Sequence, residues 1–108
     1  MATIPLHDSA LDALGDANRR AIIEMLGSGE RSVQQIADAM PISRPAVSRH
    51  LRMLKDAGLV GDCADGPRRV YHLEGEGVEA VHRYLVHTWG DAVARYRIVV
   101  ENTSRHRE

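Results

Sequence analysis

The chain has 108 residues, 44% of them hydrophobic and 27% charged, with a formal net charge of −1. That is the length of one domain and too short for two ordinary ones, and no apolar run approaches the ~20 residues that span a bilayer. The single cysteine, Cys63, excludes an internal disulfide and a multi-cysteine zinc site, and the opening MATIPLHDSA lacks the basic segment and apolar core of a secretion signal, so a cytoplasmic location is expected.

Three Tyr, one Trp and no Phe leave the core to Leu, Ile, Val, Met and Ala. In chain order, Ser9 reads as the cap of a short first helix with Leu11 and Leu14 on its inner face. Asp16 caps a second helix, in which Ile22, Ile23 and Leu26 recur at helical spacing before Gly27. Ser32 with Gln35 reads as a capping box for a third helix, VQQIADAM, stopped by Pro41. Ser43 caps a fourth helix that runs to Gly58, where a helix end favours a left-handed residue. Only PIS separates the third and fourth helices, so a steep helix-turn-helix crossing is expected, with the second helix presented outward.

After Gly58 the pattern changes to two strand-like runs, LVGDC and RRVYHL, around the turn signal ADGP. Arg68 and Arg69 open the return strand of this hairpin, which is too small to stand without the helices. From Gly77 a long helix gathers Val78, Val81, Leu85, Trp89, Val93, Tyr96 and Val100 on one arc. Roughly 25 helical residues span about 37 Å, more than so small a domain can cover. Part of the apolar face should therefore project past the core, and a symmetric second copy is the simplest cover. Residues 103–108 read as a frayed polar tail. The expected fold class is mainly α with a small β-hairpin: one winged helix-turn-helix domain over 1–108, with a core at 9–75 and dimerising helices at 1–15 and 77–102.

The small net charge hides a local bias. Residues 41–72 hold six Lys or Arg against three acids, Asp56, Asp62 and Asp65. With Arg44 at 0° and about 100° per residue, Leu54, Val47 and Leu51 fall between roughly 280° and 340°. Arg44, Lys55, Ser48, Arg52, Pro45 and Arg49 occupy the arc from 0° to about 140°. Guanidinium groups bind guanine edges in bidentate fashion and pair with phosphates, serine hydroxyls reach either, and the helix N-terminus adds an anion site. With the tight turn before it and the basic hairpin after it, this cationic face fits a winged helix-turn-helix that reads double-stranded DNA.

The runs SVQQIADAMPISRPAVSRHLRMLKDAGLV and GPRRVYHL resemble the ArsR/SmtB family of bacterial winged-helix repressors, and LGDANRRAIIEML resembles its second-helix pattern. The most specific part of the likeness is Ser43, Ser48, His50 and Leu51 followed by Leu54, Ala57, Gly58, Leu59 and Val60, within a resemblance covering residues 9 to 96. The resemblance implies a homodimer, with the first and last helices at the interface, that binds a pseudo-palindromic operator. Leu6, Leu11, Val78, Val81, His82, Leu85, Trp89, Val93 and Tyr96 would then lie at the interface. By position, Ser43, Arg44, Pro45, Ser48 and Arg49 would meet bases or nearby phosphates, Arg52 and Lys55 would extend that face, and Arg68 and Arg69 would sit on the wing.

Many members of that family sense metals, but no metal or other cofactor is expected here. The third helix has neither thiol nor histidine, and the last offers Glu79, His82 and His87. His82 and His87 lie about 140° apart on the helix and cannot ligate one metal from one chain. His82 falls inside the apolar arc, which favours a packed or interfacial histidine. Two routes stay open: an intersubunit site with His7 or Asp8 of a second copy, and a dimer loosened by His82 protonation. Cys63 is expected to be a passive strand residue, since Asp62 and Asp65 beside it disfavour a reactive thiolate.

The leading expectation is thus a dimeric repressor. The alternatives are a winged-helix module that docks an acidic protein, and a repressor with an unrecognised metal or redox effector. An enzyme is not expected: there is no supported Ser-His-Asp or Cys-His set and no phosphate loop. His50 lies at about 240°, towards the buried side, where it should pack or bond a neighbouring backbone group.

Overall fold

The structure is a computed structural model that describes residues 6–106, with side-chain surroundings for 9–103. Helix α1 (Leu6–Ala13) starts before Ser9, which therefore lies inside it rather than at its cap. Its inner face is Ala10 and Ala13, with Leu14 packed on the core just beyond its end and Leu11 half-buried outside the core. Helix α2 (Ala17–Gly27) begins where expected, because Asp16 Oδ1 accepts from the N–H groups of Asn18 (2.8 Å) and Arg19 (3.1 Å). It sends Ile22 and Leu26 into the core.

Strand β1 (Arg31–Ser32) leads into helix α3 (Val33–Asp38). The capping box closes in both directions: Gln35 N–H donates to Ser32 Oγ (3.2 Å) and Ser32 N–H donates to Gln35 Oε1 (2.8 Å). The helix ends at Asp38, short of the expected VQQIADAM. The N–H groups of Ala39 and Met40 turn back to the carbonyls of Ile36 and Ala37, and Met40 precedes a proline that disfavours helical backbone. The turn into the next helix accordingly covers residues 39–43 rather than three residues.

Helix α4 (Arg44–Asp56) is capped by Ser43 Oγ, which accepts from Ala46 N–H at 3.2 Å, and carries Pro45 in its first turn, where a missing N–H costs nothing. Val47, Leu51 and Leu54 are completely buried and meet Ile22 and Ile36 at the centre of the core. Strands β2 (Val60–Asp65) and β3 (Arg68–Leu73) pair antiparallel, from Val60 opposite Leu73 to Asp65 opposite Arg68. β1 joins β3 through Arg31–Tyr71 and Ser32–Val70, giving a three-stranded sheet in the order β1-β3-β2 instead of a lone hairpin. The wing is thereby tied to the start of the helix-turn-helix.

Helix α5 (Gly75–His106) begins two residues before the expected Gly77 and remains helical through 103–106, where the sequence suggests fraying. Its 32 residues span about 48 Å. It packs on α1, buries Ala80 and half-buries Val81. Beyond Tyr84 its apolar side chains face solvent, Trp89 being 56% and Tyr96 70% exposed. Leu85, Val86, Val93 and Val100 extend the same side, Ile98 and Val99 are exposed elsewhere on the helix, and Val78 is exposed nearer the core. Among the described residues no helix is long and apolar enough to cross a membrane.

Candidate nucleic-acid interface

The burial of Val47, Leu51 and Leu54 fixes the roll of α4 and leaves Arg44, Pro45, Ser48, Arg49, Arg52 and Lys55 exposed together with the cap Ser43. Among the described residues, Ser48, Arg49 and Arg52 make no side-chain hydrogen bond or ion pair. Arg44 Nη1 donates to Gln34 Oε1 at 3.2 Å, and Gln34 Nε2 in turn donates to Asp38 Oδ1 at 2.6 Å. Arg44 therefore leaves α4 already steered by α3. It shares one cleft with Gln34 and with Pro67, Arg68 and Arg69 of the hairpin, so the start of α4 and the wing form a continuous basic concavity.

Lys55 and Arg69 are placed differently from the unpaired arginines. Asp62 of β2, its side chain only 7% exposed, lies between them: Lys55 Nζ is 2.8 Å from Asp62 Oδ1 and Arg69 Nη1 donates to Asp62 Oδ2 at 2.8 Å. Hydrogen bonding from Lys55, then from Arg69, holds the Asp62 carboxyl below the usual carboxylate range despite its burial. The same contact raises the Arg69 guanidinium above its ordinary value. On the hairpin turn, Arg68 donates to Asp65 Oδ2 through Nε (3.3 Å) and Nη2 (3.1 Å) in a pair whose side chains are both more than half exposed. Within α4 and the hairpin, the cations without a side-chain partner among the described residues are thus Arg49 and Arg52.

His50, expected to pack or to bond a backbone group, is half-buried and meets a side chain: Arg19 Nη1 lies 3.4 Å from His50 Nδ1 while Arg19 Nε donates to the Ala13 carbonyl at 2.5 Å. This ties α4 to the α1–α2 junction. His82 is exposed within the single chain, beside Arg83, Val86 and His87, so it is not packed in its own core. The side chains of Leu6, His7 and Asp8 lie outside the described residues. Cys63 is exposed on β2 opposite Val70. Among the described residues no three His, Cys, Asp or Glu side chains converge as a metal site would require.

Sequence reasoning missed Asp62, Gln34 and Arg19. Each acts through a partner on another element, and only the alternation that places Asp62 on one face of β2 with Arg69 diagonally across the hairpin was open to detection.

The profile described as "Bacterial regulatory protein, arsR family" matches residues 16–61, from the cap of α2 to the start of β2. The HTH-type transcriptional regulator Rv2034 of Mycobacterium tuberculosis is 42% identical over 102 residues, 94% of this chain and 95% of its own length. The transcriptional repressor SdpR of Bacillus subtilis is 33% identical over 66 residues, 61% of this chain and 73% of its own. An ArsR-like transcriptional regulator from Rhodococcus has a similar structure, with a TM-score of 0.71 at 27% identity, over 89% of this chain and 91% of that one. The homodimeric winged helix-turn-helix DNA-binding domain from Mycobacterium bovis superposes with a TM-score of 0.66 at 32% identity, over 84% of this chain and 83% of that one. With its helix-turn-helix, three-stranded wing and long final helix, the chain belongs to the arsR family of bacterial regulatory proteins.

Proposed function

We propose that the protein is a homodimeric repressor that binds a pseudo-palindromic operator, without a metal cofactor. One observation carries this reading above the others. Helix α4 buries Val47, Leu51 and Leu54 completely and turns Arg49 and Arg52 to solvent with no acidic partner among the described residues. A solvated helix face ordinarily intersperses charges of both signs, whereas a face that meets phosphates and base edges needs unpaired cations.

In this role α4 enters the major groove, with Arg44, Ser48 and Arg49 near base edges and Arg52 on the backbone. In the first turn of α4, where Pro45 has no N–H and Ser43 Oγ takes that of Ala46, the Arg44 N–H is left for a phosphate. Arg68, at the tip of the hairpin, lies along the adjacent backbone, where exchanging Asp65 for phosphate costs little because both groups are exposed. The stripe of Val78, Leu85, Trp89, Val93 and Tyr96, continued by the half-buried Val81 and Leu11, packs against a second copy. His82 then sits within that contact. Two α4 helices held about 34–36 Å apart would reach successive major grooves on one face of the duplex, and occupancy of a promoter would exclude polymerase.

Selection of bound fragments from the host genome tests the proposal, followed by sedimentation and salt-dependent anisotropy on the recovered site. A sedimenting dimer that prefers one inverted repeat over random duplex supports it. A monomer, or equal affinity for every fragment, counts against it.

A further inference from the structure

Asp62 is an acid placed where a DNA-binding surface would be expected to carry none. It sits in β2 with its side chain 7% exposed, while the two cations it holds remain 52% (Lys55) and 58% (Arg69) exposed. Those cations come from different elements: Lys55 from the last turn of α4, Arg69 from the second residue of β3. Each takes a separate carboxylate oxygen at 2.8 Å, so both oxygens are engaged. Transferring either cation to a phosphate would deprive a carboxylate that is only 7% exposed of one of its two charge-assisted hydrogen bonds, which favours keeping both. The exposed Arg68–Asp65 pair on the same hairpin carries no such penalty, both side chains being more than half exposed.

We infer that Asp62 is a positioning residue for DNA discrimination: it withholds Lys55 and Arg69 from the phosphate backbone and clamps the wing to the end of the recognition helix. The assignment rests on the DNA-binding role proposed above and deepens it. Two long, cationic side chains at the edge of the interface would otherwise grip any duplex, since phosphate contacts are blind to sequence. With Asp62 in place, the free charge stays on the part of α4 that can meet bases, and the wing keeps a fixed angle to it.

The test is the salt dependence of affinity for random duplex and for the selected operator, measured for the native dimer and for Asp62→Asn, which retains size and loses charge. Each cation released to a phosphate steepens the slope of log K on log salt by about 0.9. Asp62→Asn is therefore expected to steepen the slope on random duplex by about 1 to 2, to tighten that binding at low salt, and to narrow the preference for operator. Each released cation corresponds to about three- to fourfold extra loss of affinity between about 50 and 200 mM salt.

Lys55→Gln supplies an independent arm. In the native background it should lower the slope by less than half as much as Arg52→Gln does. In the Asp62→Asn background, where Lys55 is released, the two losses should become equal. If Asp62→Asn does not fold, the native-background comparison decides. An unchanged slope and preference in a folded Asp62→Asn dimer overturns the inference, as does a Lys55→Gln loss equal to that of Arg52→Gln in the native background. A native dimer that binds no duplex at any salt overturns the DNA-binding role itself, and this assignment with it.

Discussion

Gly77, in the first turn of α5, lies so close to the carbonyl of Gly58, at the end of α4, that a Cβ at position 77 would overlap that carbonyl. Gly58 takes a left-handed conformation there (φ 79°), and Glu74 N–H donates to the Leu59 carbonyl at 2.8 Å just before α5 begins. The helix proposed to dimerise and the helix proposed to read DNA are thus joined backbone to backbone, with no flexible side chain between them. Movement of one must carry the other. Gly77→Ala should destabilise the fold by about 1–3 kcal/mol, because the obstructing atoms are main chain and cannot turn aside. A lowered urea midpoint with an unchanged slope would show it, and an unchanged midpoint would mean that the two helices can separate freely.

Trp89 is the largest apolar side chain on the uncovered stripe and is 56% exposed in the single chain. A charge there should break the association without harming the protomer's core. Trp89→Glu is expected to sediment as a helical monomer and to weaken dimerisation by at least about 2 kcal/mol, as central aromatic anchors do. A dimer of native affinity would place the interface elsewhere.

Arg49 and Arg68 should fail in different ways. Arg49→Ala removes a free guanidinium from the face of α4 and should reduce operator preference by about 1–3 kcal/mol if it makes one bidentate base contact. Arg68→Ala should weaken every duplex similarly and reduce the salt slope by about 1. Equal losses on operator and random DNA for Arg49→Ala would remove its base-reading role.

Acid should unfold the protein through identifiable carboxylates. Backbone hydrogen bonding from Arg19 holds the Asp16 carboxyl below its ordinary value, and hydrogen bonding from Lys55 and Arg69 does the same for Asp62. Both values are lower in the folded chain than in the unfolded one. Their stabilisation is therefore complete above the unfolded value near 4 and is lost as pH falls through the folded values. Denaturation midpoints should be flat from neutral pH to about 5 and decline below that. Asp62→Asn should show a shallower decline, and a decline as steep as the native one would take Asp62 out of the acid response.

What was legible in the sequence is what is local. The caps at Asp16, Ser32 and Ser43 each act within three residues, and the apolar spacing of Val47, Leu51 and Leu54 is a property of one helix. The unsatisfied stripe of α5 was equally visible, because its length exceeds any core this chain could build. β1 was not, since two residues carry no periodicity and exist as a strand only through β3. The start of α5 was hidden by Gly75 and Gly77, poor helix formers whose turn is held by contact with Gly58 and Leu59. Helix-wheel and hairpin position put Lys55 and Arg69 among the DNA-facing cations; their shared pairing with Asp62, which joins α4, β2 and β3, was not legible there.

Two arginine-bearing α4 faces, presented together by paired α5 helices, are the core of the account. Hydroxyl-radical footprinting of the genome-selected site, with the native dimer, tests this most directly. Two protected segments are expected on one side of the duplex, centred about 10–10.5 base pairs apart. A single protected segment, or uniform protection wherever the protein is added, would contradict it.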